Sequence, residues 1–190
     1  MSKHITIVTT NSGKFQELKR YINHFDPSLQ VEQEILDIPE YQDMDIKKVA
    51  LGKAEYAWNI LQRPLLIDDG GIYIEKYNQF PGVFSKYVFE GIGLEGIWQL
   101  AKDDPKTYFL NCLVYIWAPQ SYEFFEGKTH GVLIPPHITA HKNLPYRSMF
   151  IPQGFDKTLE ELWTTNHDQS YNHRYKAIGK FVGWYDAHTR

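Results

Sequence analysis

Apolar residues recur along the chain with two different spacings, and these spacings predict the secondary structure. The β-branched run at residues 5–9 predicts a strand, which the polar turn at residues 10–13 ends. From Lys14 onward the apolar residues follow the three- and four-residue spacing of a helix: Phe15, Leu18, Ile22 and Phe25. The chain therefore opens as strand, glycine-containing turn and helix.

The rest of the chain alternates between the same two patterns. Further strands are predicted at residues 31–36, 64–67, 72–74, 107–117, 122–125 and 131–134. Further helices are predicted at residues 46–61, with Asp45 as the N-cap, and at 94–101, 158–163 and 171–185. We expect the strand at 64–67 to end in the polar segment Asp68-Asp69-Gly70-Gly71. Because helices and strands interleave while the middle strands pair as a hairpin, we predict an α/β fold with a mixed sheet, as one domain over residues 1–190.

Composition narrows the class of protein. The 190 residues are 43% hydrophobic and 15% aromatic, which excludes wholesale disorder. A net charge of −3 argues against binding to a nucleic-acid polymer, since neutralising a phosphate backbone requires a basic surplus. The single cysteine, Cys112, excludes an intramolecular disulfide, and its apolar surroundings predict a buried side chain. No apolar run is long enough to span a membrane and no signal-peptide pattern is present, so we expect a cytoplasmic protein.

The turn Thr9-Thr10-Asn11-Ser12-Gly13-Lys14 is the first candidate for chemistry. It lies between a strand and a helix, where backbone N–H groups at the helix N-terminus attract anions. The hydroxyls of Thr9 and Thr10, the Asn11 amide and the Lys14 ammonium add donors for a polyphosphate. The alternative is an ordinary capped helix with Lys14 in solvent.

Three further positions carry chemistry. Asp68 and Asp69 follow a buried strand, and because adjacent acids repel, one should have a raised pKa or meet a cation such as Mg²⁺. Lys53 lies at the edge of the apolar stripe of its helix, so it either extends to solvent or points into a cleft. His173 and Arg174 begin the last helix, where both could reach one ligand. The G-x-S-x-G and H-E-x-x-H motifs are absent.

Together these segments resemble the ITPase-like family of nucleoside triphosphate pyrophosphatases, which remove non-standard purine nucleotides. Thr9-Thr10-Asn11-Ser12-Gly13-Lys14 resembles its T-x-N-x-x-K signature, and residues 37–42 resemble its D-[IL]-P-E-x-Q segment. Asp68-Asp69-Gly70-Gly71 is similar to its DDSG motif, and residues 80–86 are similar to its G-x-P-G-x-x-[SI]-[AK] segment. Asn172-His173-Arg174 matches its S-H-R. The motifs occur in the family's order over nearly the whole chain.

The resemblance implies an elongated mixed sheet flanked by helices, two lobes around a central cleft, a homodimer, and Mg²⁺-dependent hydrolysis of a nucleoside triphosphate to a monophosphate and pyrophosphate. It implies that Lys14 and Asn11 hold the triphosphate and that Lys53 and Lys86 neutralise its charge. Glu40 and Asp69 would hold the metal. Asp69, with Asp68, would orient or deprotonate the attacking water, and His173 and Arg174 would contact the base.

Three departures from the family's motifs bear on substrate choice. Gly70 replaces the serine of DDSG, so its backbone N–H would have to replace a hydroxyl that touches phosphate. In the base-reading segment, Leu144-Pro145-Tyr146-Arg147, Tyr146 keeps an aromatic face but Arg147 replaces an acid. Asp168 replaces a lysine, so Arg147 and Asp168 either pair across the base pocket or are each solvated. The leading hypothesis is an active pyrophosphatase; the alternatives are a shifted base preference or a catalytically weak nucleotide-binding or regulatory protein.

Overall fold

The computed structural model of the protein describes residues 4–136, 144–165 and 169–188. Within these ranges, seven strands form one sheet: β1 (His4–Val8), β2 (Gln30–Glu34), β3 (Leu65–Ile74), β4 (Pro81–Gly82), β5 (Lys106–Ala118), β6 (Ser121–Leu133) and β7 (Phe150–Pro152). The same ranges contain five α-helices: α1 (Ser12–Phe25), α2 (Ile46–Leu61), α3 (Ser85–Ala101), α4 (Leu159–Thr165) and α5 (His173–His188).

The sheet is mixed, as the sequence predicts. Its strand order is β2-β1-β3-β5-β6-β7, with β4 paired to β3. β1 runs parallel to β2 and β3, whereas the β3–β5, β5–β6 and β6–β7 pairs are antiparallel. The α/β class with a mixed sheet is therefore confirmed.

Side-chain caps fix the beginnings of the first two helices. The Asn11 side chain accepts a hydrogen bond from the Lys14 backbone N–H at 3.0 Å, and Asp45 accepts one from Lys47 at 2.9 Å. These bonds satisfy backbone donors that a helix N-terminus leaves unpaired. The predicted helix at residues 94–101 is the second half of α3, which bends at Gly93, where φ is +64°.

Two predicted strand breaks are wrong. β3 continues through Asp68-Asp69-Gly70-Gly71 instead of ending there, and β6 joins the two strands predicted at residues 122–125 and 131–134. In both places glycine permits a close approach of backbone. A Cβ on Gly71 would overlap the carbonyl of Gly82 in β4, and a Cβ on Gly127 would overlap the carbonyl of His173 in α5.

Three apolar clusters form the core. Residues of α1 and α5 cover one face of the sheet, and α2 covers the other face, where Cys112 is fully buried as predicted. A third cluster joins α3, α4 and β7 to the far end of the sheet. No helix in the described ranges is both long and apolar enough to cross a bilayer.

Candidate active site

The residues predicted for the site line one cleft, which has a cavity volume of about 530 Å³. The turn between β1 and α1, helix α2, strand β3, the start of α3 and the start of α5 all contribute to its wall. The predicted residues on this wall are Thr9, Thr10, Asn11, Lys14, Glu40, Lys53, Asp68, Asp69, Gly70, Lys86, Tyr146, Arg147, His173 and Arg174.

Asp68 and Asp69 extend from opposite faces of β3. Successive side chains of a strand alternate between its two faces, so Asp68 faces α1 and α5 while Asp69 faces α2. Lys14 and Arg174 contact Asp68, and Lys53 contacts Asp69. Each acid therefore meets its own cation, which is the second of the two outcomes expected for adjacent acids.

Asp68 is the buried anion of a four-residue ion cluster. The Lys14 Nζ lies 3.1 Å from its Oδ2, and the Arg174 Nε lies 3.2 Å from its Oδ1. Burial alone would raise the pKa of Asp68, but the charges of Arg174 and Lys14 outweigh it and hold the pKa well below its usual range. The interpretation of Lys14 as a solvated residue is therefore wrong.

Glu17 completes this cluster and is a residue that the sequence analysis missed. It is 1% exposed, its Oε2 lies 2.8 Å from the Arg174 Nη1, and its Oε1 accepts a hydrogen bond from the Asn172 amide at 2.9 Å. The available signal is position: Glu17 lies four residues before Tyr21, on the buried face of α1. Arg174, predicted to contact the base, is held by Glu17 and Asp68 at the wall of the cleft.

On the other face of β3, Lys53 joins the two predicted metal ligands. Its Nζ lies 2.8 Å from Glu40 Oε2 and 2.8 Å from Asp69 Oδ2, so Lys53 points into the cleft. Burial would lower the pKa of Lys53, but the charges of Asp69 and Glu40 outweigh it and raise the pKa. Burial likewise opposes ionisation of Glu40, yet Lys53 and Lys86 lower its pKa. Lys53 and Glu40 are therefore both charged at neutral pH.

Glu40 and Asp69 fit a magnesium ion. Their carboxylate oxygens converge on a single point, now the Lys53 ammonium, and hard oxygen donors are the ligands that Mg²⁺ prefers. Within the described residues no group of three or more acidic, histidine or cysteine side chains is arranged to hold a metal.

The turn between β1 and α1 is organised by its own side chains. The Thr9 Oγ1 accepts a hydrogen bond from the Asn11 N–H at 3.1 Å, while the Asn11 Oδ1 caps α1. Thr10 is exposed at the cleft. The oxygens of Thr9 and Asn11 thus hold the N-terminus of α1 against the cleft, where an anion is favoured.

Aromatic residues and Arg147 line the opposite end of the cleft. The Tyr146 hydroxyl donates to the Ser85 carbonyl at 2.6 Å. Arg147 is 6% exposed, and its guanidinium lies 4.6 Å from the centre of the Trp163 ring. Its Nε lies 3.3 Å from Glu160 Oε2, close enough for an ion pair, but the two atoms do not have the geometry of a hydrogen bond. Solvation of Arg147 is therefore wrong. Asp168, its other expected partner, lies outside the described residues.

His173 is a buried neutral imidazole at the same end of the cleft. Its ring stacks on Phe109, with centroids 4.7 Å apart and planes 8° from parallel. Burial lowers the pKa of His173 well below its usual value, and the neighbouring charge of Arg174 lowers it further. Phe109 also lines the cleft and was missed, because within an apolar strand nothing distinguishes it from core residues.

Comparison with known proteins gives matches over almost the entire chain. The sequence model of the Ham1 family matches residues 5–184. A dITP/XTP pyrophosphatase of Methanopyrus kandleri is 32% identical over 183 residues, covering 95% of both chains, and one of Thermococcus kodakarensis is 31% identical, covering 95% of this chain and 96% of the relative. A solved HAM1 protein from Coxiella burnetii superposes with a TM-score of 0.78 at 18% identity, covering 97% of this chain and 99% of that one. The last similarity concerns the fold alone.

Proposed function

Because the chain belongs to the Ham1 family, we propose that it is a Mg²⁺-dependent nucleoside triphosphate pyrophosphatase acting on non-standard purine nucleotides such as dITP and XTP. Relatives about as long as this chain, with the name dITP/XTP pyrophosphatase, support the substrate class. The products are a nucleoside monophosphate and pyrophosphate.

The observation that carries the proposal is the pairing of Lys53 with Glu40 and Asp69 inside the cleft. Glu40 and Asp69 each place an oxygen 2.8 Å from the Lys53 Nζ, so the two carboxylates can hold Mg²⁺ once that ammonium turns to the substrate phosphates; Lys14, Lys53 and Lys86 provide positive charge around the site. A triphosphate chain needs both, because its negative charge must be neutralised before a water molecule can attack phosphorus.

Each side chain has a role in this scheme. Asp69 is held by the Gly70 N–H, which donates to its Oδ1 at 2.7 Å, and it orients or deprotonates the attacking water. Lys14 is anchored on Asp68 and faces the phosphates together with Lys53 and Lys86. When bound, Mg²⁺ supplies Lewis-acid polarisation of the phosphate oxygens. Tyr146 and His173 contact the base at the other end of the cleft.

The reaction type is tested with dITP or XTP in the presence of Mg²⁺. Attack at the α-phosphorus is expected to release pyrophosphate and a monophosphate, separated by anion-exchange chromatography. Release of orthophosphate with a diphosphate would contradict the assignment.

The assigned acids are tested by conservative substitution. Asp69→Asn is expected to lower kcat by about 10²–10⁴-fold, the scale of a positioned acid–base group, with the fold intact by circular dichroism. Glu40→Gln is expected to raise the Mg²⁺ concentration that gives half-maximal rate. Asp103→Asn, at an exposed carboxylate near Lys76, serves as the matched control. Wild-type activity in Asp69→Asn would mean that the site is placed wrongly.

The homodimer that the resemblance implies remains part of the proposal. Sedimentation equilibrium tests it directly, and a single species with the mass of one chain, 22.3 kDa, would contradict it.

A further inference from the structure

The side chain of Asn111 is a buried amide without a hydrogen-bond partner. It lies on β5 and is 0% exposed, and neither its oxygen nor its nitrogen makes a hydrogen bond. Most buried polar side-chain atoms in proteins are paired, and leaving both ends of an amide unpaired is costly. Asn111 therefore needs an explanation that the folded chain alone does not provide.

Asn111 lies directly behind the cleft. It pairs across the sheet with Gly70 of β3 on one side and Gly127 of β6 on the other, so no neighbouring side chain covers it from either strand. Phe109, two residues earlier on the same face of β5, stacks on His173 in the cleft wall. The amide thus faces α5; the β3 side is left open at Gly70, whereas the α5 backbone packs against Gly127 on the β6 side.

Gly70 is the opening between this amide and the cleft. Gly70 lines the cleft and follows Asp69. A Cβ built on Gly70 would lie 3.1 Å from the Asn111 Oδ1, so the amide is next to the space that a side chain at position 70 would take. The Leu110 carbonyl oxygen also lies 3.1 Å from that position, so a ligand atom seated against Gly70 comes within reach of the amide.

We propose that Asn111 is a substrate-binding residue: its amide, turned about the Cβ–Cγ bond so that Nδ2 takes the place of Oδ1 beside Gly70, donates to a phosphate oxygen of the nucleotide seated there. This inference rests on the proposed function. The ligand class follows from the surrounding charges. Lys14 of α1 contacts Asp68, and Lys53 of α2 contacts Asp69, so both bring positive charge to the part of the cleft beside Gly70. The phosphate supplies the acceptor that the folded chain lacks, so the unpaired amide is a cost of the substrate-free state.

The first test separates binding from stability. Asn111→Leu removes the unpaired amide while filling a similar volume, so we expect Tm to rise by about 2–4 °C. The same variant should bind inorganic tripolyphosphate, measured by calorimetry in Mg²⁺ buffer, about tenfold to a hundredfold more weakly, since a hydrogen bond to a charged group is lost. A structural role would move Tm in the opposite direction and leave affinity unchanged.

Cys112→Ala is the matched control. Cys112 is the next residue on β5, equally buried, and faces α2 on the opposite side of the sheet. This variant should lose stability yet bind tripolyphosphate as the wild type does.

The second test moves the hydrogen-bonding group from one strand to the other. Asn111→Ala should weaken tripolyphosphate binding. The double variant Asn111→Ala, Gly70→Ser should bind at least threefold more tightly than Asn111→Ala alone, because the serine hydroxyl lies beside the place that the amide has left. Gly70→Ala in the same Asn111→Ala background adds the Cβ without a hydroxyl and should restore none. Equal affinities in the two double variants would overturn the proposal, and so would wild-type affinity in Asn111→Leu.

The outcome is distinguishable from failure of the proposed function. If the wild type binds tripolyphosphate but releases no pyrophosphate from dITP, the activity is wrong while the affinities above still decide the role of Asn111. If the wild type does not bind tripolyphosphate, the phosphate assignment of Asn111 is overturned.

Discussion

At the scale of single residues, the direction of a side chain decides what the residue does. Asp68 and Asp69 are adjacent in sequence, but the pleat of β3 sends one to the Lys14–Arg174 pair and the other to Lys53. Asp68 is a buried anchor that fixes Lys14, whereas Asp69 lines the cleft, where we propose that it acts on the attacking water. Two residues that the sequence presents as one motif therefore have separate roles.

Arg147 should alter the choice of base. A guanidinium only donates hydrogen bonds, so it cannot accept from a purine N–H as the acid of the family's motif would. We expect the preference for ITP and XTP over GTP and dUTP to be weakened or redirected, and to change again in Arg147→Ala, measured as kcat/KM for the four nucleotides.

Arg20→Ala is the control for Arg147. The Arg20 guanidinium also lies on Trp163, 4.2 Å from the ring centre, but Arg20 is not among the residues that line the cleft. Its removal should leave the base ratios unchanged. A strong preference for ITP and XTP that persists in Arg147→Ala would mean that the base is read elsewhere.

His173 should make stability depend on pH. The native state holds this imidazole neutral, whereas the unfolded chain protonates it near pH 6.5. The unfolded state therefore binds the extra proton as pH falls, and the free energy of unfolding decreases below about pH 6.5, by at most about 1.4 kcal/mol per pH unit from this group. Urea unfolding from pH 8 to pH 5 measures the slope.

The pH slope should be smaller in His173→Phe, which keeps a ring to stack on Phe109. His188→Gln, at the exposed end of α5, should keep the wild-type slope. An equal slope in the wild type and His173→Phe would contradict a buried neutral His173.

At the scale of elements, periodicity predicts helices and strands well, but it wrongly predicts that glycines end a strand. The stripes of apolar residues predict α1 and α2 closely, and so does Asp45 as the cap of α2, because these signals are local. Gly70-Gly71 and Gly127 resemble breaks, yet they lie within strands because backbone from β4 or α5 packs against them. That packing is a tertiary contact, so the sequence alone does not contain it.

In the candidate site, too, local signals are predictable from the sequence and tertiary contacts are not. Its residues were identified from motifs, but the ion pairs that organise them join separate segments of the chain, and Glu17 and Arg174 lie 157 residues apart. Phe109 and Asn111 gain their place in the site only when β5 pairs with β3. Spacing along the chain carries no signal for either.

Gly127→Ala should destabilise the fold. The added methyl group would overlap the His173 carbonyl at the beginning of α5, so the helix must shift, at a cost of about 2 kcal/mol or more in the free energy of unfolding. Gly183→Ala, within α5 and with no atom near its would-be Cβ, should instead stabilise by about 0.5–1 kcal/mol. Denaturant unfolding measures both, and a loss in Gly183→Ala equal to that in Gly127→Ala would contradict the packing argument.

At the scale of the whole molecule, the cleft lies where the three core clusters meet. Its wall takes residues from α2 on one face of the sheet, from α1 and α5 on the other, and from the α3 end. Its paired charges balance: Asp68 and Glu17 are matched by Lys14 and Arg174, while Glu40 and Asp69 are matched by Lys53 and Lys86. A cleft assembled from all parts of the core in this way keeps its shape only while the entire sheet is intact.

Lys53 lies between Glu40 and Asp69, so its ammonium is a counter-ion that the chain itself provides. This has a consequence for how the protein folds. Without this ammonium, two like charges would face each other in the folded chain, so Lys53 lets a newly made chain reach its native state before it meets any metal. Chelation by EDTA should leave the wild-type Tm within about 1 °C, whereas Lys53→Met should unfold earlier in EDTA and gain several degrees more than the wild type from added Mg²⁺. Differential scanning calorimetry measures both Tm values. An equal Tm gain from Mg²⁺ in the wild type and in Lys53→Met would contradict this expectation. Folding of the chain therefore does not require the Mg²⁺ that we propose for this site.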